Sequence, residues 1–296
     1  MYSGPADVKR VVKARHPDSS KRDFGSLLVV GGSEVYSGAP ALAGMAALRT
    51  GCGLAVIAAP TGVASAIRAY SPDLIVHPLP GNVVSGSCTD ELWRLLESCD
   101  ALVIGPGIGL SLETKEIIPS ILKKAAQKRK PTLIDADAIR ALADRGDLLR
   151  ETSAVITPHA GEFKALSGKE VPNGLRKRVS LCKNFALEHS CIVLLKGHNT
   201  VVSDGRRVKV NPTGNPGMAV GGMGDVLSGV IGAFLAQRSD RFFSAVAGAY
   251  VHGLTGDLVR KRTGFHMVAS DLIEALPTVL RRYDRMARNS RTKGYT

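Results

Sequence analysis

Ser26-Leu27-Leu28-Val29-Val30-Gly31-Gly32-Ser33, with Gly38 to Thr50 and Leu54-Ala55-Val56-Ile57-Ala58 behind it, decides the fold of this 296-residue chain. The first run is a short apolar segment breaking into glycines, the pattern of a buried strand entering a turn. Gly38 to Thr50 is rich in Ala and Leu and stops at Gly51-Cys52-Gly53, which predicts a close-packed helix. The third run is a second apolar strand, closed by Pro60. Strand, helix and strand in this order make a crossover unit, and right-handed crossovers set the two strands parallel.

The same grammar continues along the chain. Ala101-Leu102-Val103-Ile104 runs into Gly105-Pro106-Gly107-Ile108-Gly109, and Thr132-Leu133-Ile134 into Asp135-Ala136-Asp137-Ala138 with a helix through Leu142. Ala154-Val155-Ile156 leads to Thr157-Pro158-His159, and Cys191 to Leu195 leads to Lys196-Gly197-His198-Asn199-Thr200. Val201-Val202 then resumes as a strand before a turn at Asp204-Gly205, and apolar helices are predicted over 225–236 and 243–254. Residues 1–22 read as a helical or irregular lead-in. A composition of 44% hydrophobic but only 5% aromatic residues suits a parallel sheet covered by helices. The expected class is therefore α/β, three-layer, with a mostly parallel central sheet flanked by helices. No Gly/Ser-rich linker or internal repeat divides the chain, so one domain over 1–296 is expected, its core at about 24–277, with basic terminal extensions.

Open parallel sheets bind ligands beyond the carboxyl ends of their strands. The glycine-rich or polar elements here follow the strands. Gly31-Gly32-Ser33, Gly105-Pro106-Gly107, Asp135-Ala136-Asp137, His159 and Lys196-Gly197 should therefore share one rim. The densest glycine cluster lies later, in Asn215-Pro216-Gly217-Met218-Ala219-Val220-Gly221-Gly222-Met223-Gly224-Asp225-Val226-Leu227-Ser228-Gly229. Glycines let backbone N–H groups approach a ligand, and the helix that follows adds positive character at its N-terminus. That combination suits phosphate oxygens. A carboxylate beside such a cradle makes sense as a proton acceptor, so Asp225 reads as the base of a phosphoryl transfer or of the elimination of an activated hydroxyl. The plainer reading is an acidic residue in the first turn of a helix.

Other candidates carry two readings each. Asp135 and Asp137, one residue apart on an extended backbone, would point the same way and could hold Mg²⁺ through water, or could serve a helix N-terminus. His159 precedes Gly161 and Glu162 at a strand exit and is either functional or structural. Lys196-Gly197-His198-Asn199-Thr200 suits phosphate or ribose contact, or is simply a basic hairpin end. The P-loop spacing GxxxxGK[ST] is absent, and Gly105 to Gly109 lacks the full GxGxxG of dinucleotide binding.

Composition excludes several classes. No apolar run is long enough to cross a bilayer and no apolar signal region opens the chain, which predicts a cytoplasmic protein. Cys52, Cys88, Cys99, Cys182 and Cys191 are scattered, form no CxxC, and are expected to be reduced and mostly buried. The net charge of +13 concentrates at the ends, in Lys9, Arg10, Lys13, Arg15, Lys21 and Arg22 and in Arg281, Arg282, Arg285, Arg288, Arg291 and Lys293. Those segments lack aromatic interleaving and any nucleic-acid signature, so a solvated face is favoured over nucleic-acid binding.

Taken in order, these motifs resemble the ribokinase superfamily in its branch without a lid domain. Within it they are most similar to the stand-alone ADP-dependent NAD(P)H-hydrate dehydratases. The resemblance runs from about Phe24 to Pro277. It rests on Gly31-Gly32-Ser33 with Gly38-Ala39, Ala47-Leu48-Arg49-Thr50-Gly51, Gly105 to Gly109, Asp135 to Ala138, Thr157 to Glu162, Leu195-Lys196-Gly197, Asn211 to Gly229, Ala236-Gln237 and His252-Gly253.

The resemblance implies dehydration of the S-epimer of hydrated NADH or NADPH, with ADP as co-substrate and Mg²⁺ as cofactor. It implies that Gly107, His159 and Asp225 face the hydrated nicotinamide, with Ala39 or a neighbour lining the pocket. Lys196, Gly197, His198, Asn199, Thr200 and Gly224 would contact the adenine nucleotide. It further implies a homotetramer and a separate epimerase chain as functional partner, with no role for a membrane. The chain departs from the family at Met223, where a Thr or Ser is usual between the two glycines. A hydroxyl bond to phosphate would be lost there, worth about 1.5–3 kcal/mol if charge-assisted. The alternative enzyme is a small-molecule alcohol kinase of the hydroxyethylthiazole kinase type using the same Asp225. A third reading, nucleotide or nucleic-acid binding without turnover, rests only on the basic ends.

Overall fold

The computed structural model describes residues 1–143 and 145–287. Its strands are β1 (Ser26–Val30), β2 (Leu54–Pro60), β3 (Ile75–Leu79), β4 (Ala101–Ile104), β5 (Thr132–Ile134), β6 (Val155–Ile156), β7 (Ile192–Leu195), β8 (Thr200–Ser203) and β9 (Val208–Asn211). Among the described residues all nine join one sheet in the order β3-β2-β1-β4-β5-β6-β7-β8-β9. Strands β1 to β7 pair parallel, and β8 and β9 add an antiparallel edge. The first half of the helices is α1 (Pro5–Val11), α2 (Gly38–Arg49), α3 (Thr61–Ala69), α4 (Thr89–Ser98), α5 (Leu112–Gln127) and α6 (Asp137–Ala141). The second half is α7 (Asp147–Thr152), α8 (Ala160–Ser167), α9 (Leu175–Glu188), α10 (Met223–Ala236), α11 (Arg241–Thr263) and α12 (Ala269–Leu280).

Strand side chains alternate between faces, so each apolar run feeds two cores. Leu28, Val30, Leu102, Ile104, Ile134, Ile156, Val193 and Leu195 face one way, against Leu92, Ile118, Ile121, Phe163 and Phe185 from α4, α5, α8 and α9. Leu27, Val29, Val103, Leu133, Val155 and Leu194 face the other, against Ala43 and Ala47 of α2, Leu227 and Ile231 of α10, and Ala245 and Val246 of α11. Three layers result, as the sequence predicts. A further apolar cluster lies outside them, where α1 and α12 close over Val226, Val230 and Phe234 of α10. Helix α10 is thus covered on both sides, and 12 of its 14 residues are buried.

The expected strands form, and two more were not anticipated. Strand β3 reads Ile-Val-His-Pro-Leu, and its Pro78 belongs at a sheet edge, where β3 lies. The other addition, β9, reads Val-Lys-Val-Asn at the opposite edge. The lead-in is no loose extension. Ser3 N–H donates to the Val210 carbonyl at 2.9 Å, and Val8 and Val11 of α1 are buried in the outer cluster. Arg15 stacks on Phe24 at 3.7 Å and exchanges backbone hydrogen bonds with Arg285 and Ala287, so the two basic ends pair with each other. Arg288, Arg291 and Lys293 lie outside the described residues. All five cysteines are free and buried. No helix among the described residues is long and apolar enough to cross a membrane.

Candidate active site at the carboxyl edge of the sheet

Strands β1, β4, β5, β6 and β7 are consecutive parallel neighbours, so the loops that follow them leave from one edge. The expected rim is therefore formed. Backbone contacts stitch it tightly. Gly32 N–H donates to the Pro106 carbonyl at 3.0 Å, and Asp135 N–H to the Ile104 carbonyl at 3.0 Å. A Cβ on Gly105, whose φ is +126°, would collide with the Asp135 carbonyl oxygen, so only glycine lets these two strand exits close up.

Asp135 is the hub. Only 1% exposed, it accepts hydrogen bonds from Thr157 Oγ1 at 2.7 Å, Ser228 Oγ at 2.7 Å and Lys196 Nζ at 3.0 Å. Burial alone would raise its pKa, but the Lys196 charge and the hydroxyl donors overcome it and hold the carboxyl below its ordinary value. Lys196 also approaches Glu162 at 3.6 Å. Burial disfavours its ammonium, yet Asp135 and Glu162 outweigh that and raise its pKa. The backbone between Asp135 and Asp137 is not extended, contrary to expectation. Ala136 has φ +50° and ψ −126°, a strained conformation for a residue with a side chain. Asp135 thereby enters the buried network, while Asp137 opens α6, partly exposed, with a 3.9 Å contact to Arg140 as its one ion pair among the described residues.

Asp225 is the third residue of α10, and among the described residues no ion pair neutralises it. Its pKa is pushed up to about 7, chiefly by burial, then by the negative Asp135; Asp137 and Glu162 add to this and Lys196 opposes it. A carboxyl poised there exchanges a proton readily at neutral pH. Gly224 adjoins it, and a Cβ on Gly224 would lie 3.6 Å from Lys196 Nζ and 3.8 Å from Asp135 Oδ2. Met223 turns the other way, 5% exposed, into the outer apolar cluster.

Two predicted residues meet at the far side of the rim. Gly107 has φ +62°, and a Cβ there would lie 3.1 Å from Ala39 Cβ and 2.7 Å from Tyr36 Cβ. His159 has a definite structural task as N-cap of α8. Its Nδ1 accepts from the N–H groups of Gly161 at 3.0 Å and Glu162 at 3.2 Å, while Glu162 reaches back to the His159 N–H at 2.8 Å. With Nδ1 an acceptor, the proton sits on Nε2, which faces Glu162 Oε1 at 3.3 Å. The imidazole remains 49% exposed and free to meet a ligand as well. Gly197, His198 and Asn199 form the turn between β7 and β8 and Thr200 opens β8, Gly197 and His198 being exposed. Arg178 braces this turn by donating to the Lys196 carbonyl at 3.1 Å. His252, on α11, has its Nε2 buried with no hydrogen-bond partner among the described residues, and burial pushes its pKa down to about 4.

The sequence did not single out Ser228, Thr157, Glu162 or Arg178. Glu162 had a usable signal, since it stands three residues after His159 at capping-box spacing. Ser228 stands three after Asp225, on the side of α10 that turns to the sheet. A cavity of about 620 Å³ lined by Ser153, Cys191, Arg206, Arg207, Arg238 and Arg241 lies elsewhere, at the amino ends of β6 and β7.

Comparison with known proteins identifies the family. The NAD(P)H-hydrate dehydratase family profile matches residues 27–278. A bifunctional NAD(P)H-hydrate repair enzyme, Nnr, of Pyrobaculum aerophilum is 48% identical over 284 residues, covering 96% of this chain and 56% of that protein. The chain thus spans about half the length of that relative. An ADP-dependent (S)-NAD(P)H-hydrate dehydratase of Cenarchaeum symbiosum is 38% identical, covering 96% of this chain and 98% of the relative. The crystal structure of the ADP/ATP-dependent NAD(P)H-hydrate dehydratase of Bacillus subtilis, co-crystallised with ATP and Mg²⁺, superposes with a TM-score of 0.78 at 29% identity, covering 94% of this chain and 96% of that one. The chain belongs to the NAD(P)H-hydrate dehydratase family.

Proposed function

We propose that the protein dehydrates the S-epimer of hydrated NADH or NADPH at the expense of ADP, releasing NAD(P)H, AMP and phosphate. The observation that carries this reading is Asp225, a carboxyl with no ion-pair partner among the described residues and with a pKa pushed up to about 7, at the start of a helix near Lys196. The full-length similarity to a dehydratase named ADP-dependent favours it over the alcohol-kinase alternative.

Hydroxide leaves poorly, so the substrate's 6-hydroxyl must first be activated. Asp225 takes the hydroxyl proton while that oxygen attacks the terminal phosphorus of ADP, and the bond to the AMP oxygen breaks. The ring nitrogen lone pair then expels phosphate from C6, and loss of the C5 proton restores the double bond. Backbone N–H groups at the start of α10 stabilise charge on the phosphoryl oxygens. Ala39, Gly107 and His159 line the hydrate pocket in this reading, and Lys196, Gly197, His198, Asn199, Thr200 and Gly224 hold the nucleotide.

Mg²⁺ fits the donors available. Asp137 is partly exposed and weakly paired, and Mg²⁺ needs only one or two carboxylates besides water and phosphate. Bound there, the ion would neutralise charge on the phosphates. The same reading takes the chain as one domain, working as a homotetramer in the cytoplasm beside a separate epimerase. The decisive experiment incubates purified protein with the hydrate and ADP or ATP and follows nicotinamide absorbance. Return of NAD(P)H absorbance is expected; build-up of a stable phosphorylated alcohol would favour the kinase.

A further inference from the structure

We infer that Tyr36 is the aromatic wall against which the hydrated pyridine ring of the substrate lies, an inference that rests on the proposed dehydratase reading. Tyr36 lies in the loop that follows β1, held by a backbone turn and by close packing against Gly107. Its N–H donates to the Ser33 carbonyl at 2.9 Å, closing a turn. The next residue's hydroxyl, Ser37 Oγ, lies 3.3 Å from the Tyr70 phenol oxygen. Behind it stands Gly107, where a Cβ would lie 2.7 Å from Tyr36 Cβ and 2.9 Å from its carbonyl oxygen.

The backbone is held, yet the residue is 55% exposed. It is not alone. Val35 is 77% exposed on the same loop, and Leu110 and Leu112 are 37% and 75% exposed beyond β4. These two loops meet, since a Cβ on Gly109 would lie 3.6 Å from Ser33 Cβ. A single exposed apolar side chain is ordinary, but several on adjoining loops beside a polar site mark a binding surface. The occupant that fits is a flat ring carrying polar edges. Tyr36 directly abuts Gly107, and Gly107 abuts Ala39, the two positions proposed to line the hydrate pocket. An aromatic face there covers the ring and keeps water from the activated C6 centre.

The test compares wild type, Tyr36→Phe and Tyr36→Ala in three measurements: KM for the hydrate, KM for ADP, and affinity for NADH read from its fluorescence. Tyr36→Ala should raise the hydrate KM and weaken NADH binding about tenfold, the equivalent of roughly 1.4 kcal/mol. The ADP KM should move less than about twofold, and Tyr36→Phe should behave as wild type, because the ring and not the hydroxyl makes the wall. Unchanged hydrate KM and NADH affinity in Tyr36→Ala would overturn the inference. So would equal damage in Tyr36→Phe, or a fall in assembly mass by light scattering that accounts for the loss. If wild type binds NADH in a Tyr36-dependent way yet leaves the hydrate untouched, the dehydratase reading fails and the ring-binding wall stands.

Discussion

At the carboxyl edge of the sheet, Asp135, Glu162, Asp225 and Lys196 share one partly buried network. At the amino edge, Arg206, Arg207, Arg238 and Arg241 line a cavity of about 620 Å³. Both edges gather charge, but only at the carboxyl edge is it left unbalanced. Its arginines are mostly accounted for. Arg207 pairs with Asp204 at 2.6 Å and Asp240 at 3.5 Å, Arg238 with Asp100 at 3.1 Å, and Arg241 donates to the Ser153 carbonyl at 3.1 Å. The carboxyl edge instead crowds acids around a single lysine, and the excess falls on Asp225. Unbalanced charge in a half-buried place shifts a pKa, whereas paired charge at the surface does little.

The contrast can be broken most severely at Asp225. Asp225→Asn should lower kcat by about 10²–10⁴-fold, the usual contribution of a general base, while nucleotide affinity by calorimetry stays near wild type. Next comes Lys196→Met, which strands Asp135 and Glu162 without a cation. Unfolding in urea should show a loss of about 3 kcal/mol, and the apparent pKa of Asp225 should climb further.

A pH series sharpens the comparison. The folded pKa of Asp225, about 7, lies above its ordinary 3.8, so the folded state holds this proton more tightly than the unfolded chain. The associated stability is fully present below about pH 4 and is lost as pH rises to about 7, a change on the order of 2–4 kcal/mol. Asp225→Asn should lack that decline in urea titrations, while wild-type kcat/KM should rise with pH through the same interval. The smallest effect belongs to the amino edge. Arg238, 79% exposed, should tolerate Ala with less than about 1 kcal/mol of change and no loss of turnover.

The same two edges show what could be read beforehand. Continuous apolar runs announced β1, β2, β4, β5 and β7, because strands buried on both faces leave little room for polar residues. β3 and β9 escaped, since edge strands tolerate Pro78 and Lys209. Asp225 stood out because glycines surround it in sequence. Asp135 as a hub did not, because Thr157, Lys196 and Ser228 are 22, 61 and 93 residues away. Only the folded sheet brings them together. The strain at Ala136 was equally invisible, as nothing local asks alanine for a positive φ.

Helix α10 links the two edges, with Asp225 at one end and Arg238 just beyond the other, and apolar clusters cover it on both sides. Its amides should therefore exchange with deuterium only when the whole domain opens, in step with global denaturation. The proposed base would then ride on a rod buried along nearly its whole length, leaving any gating during turnover to the glycine-rich loops around it.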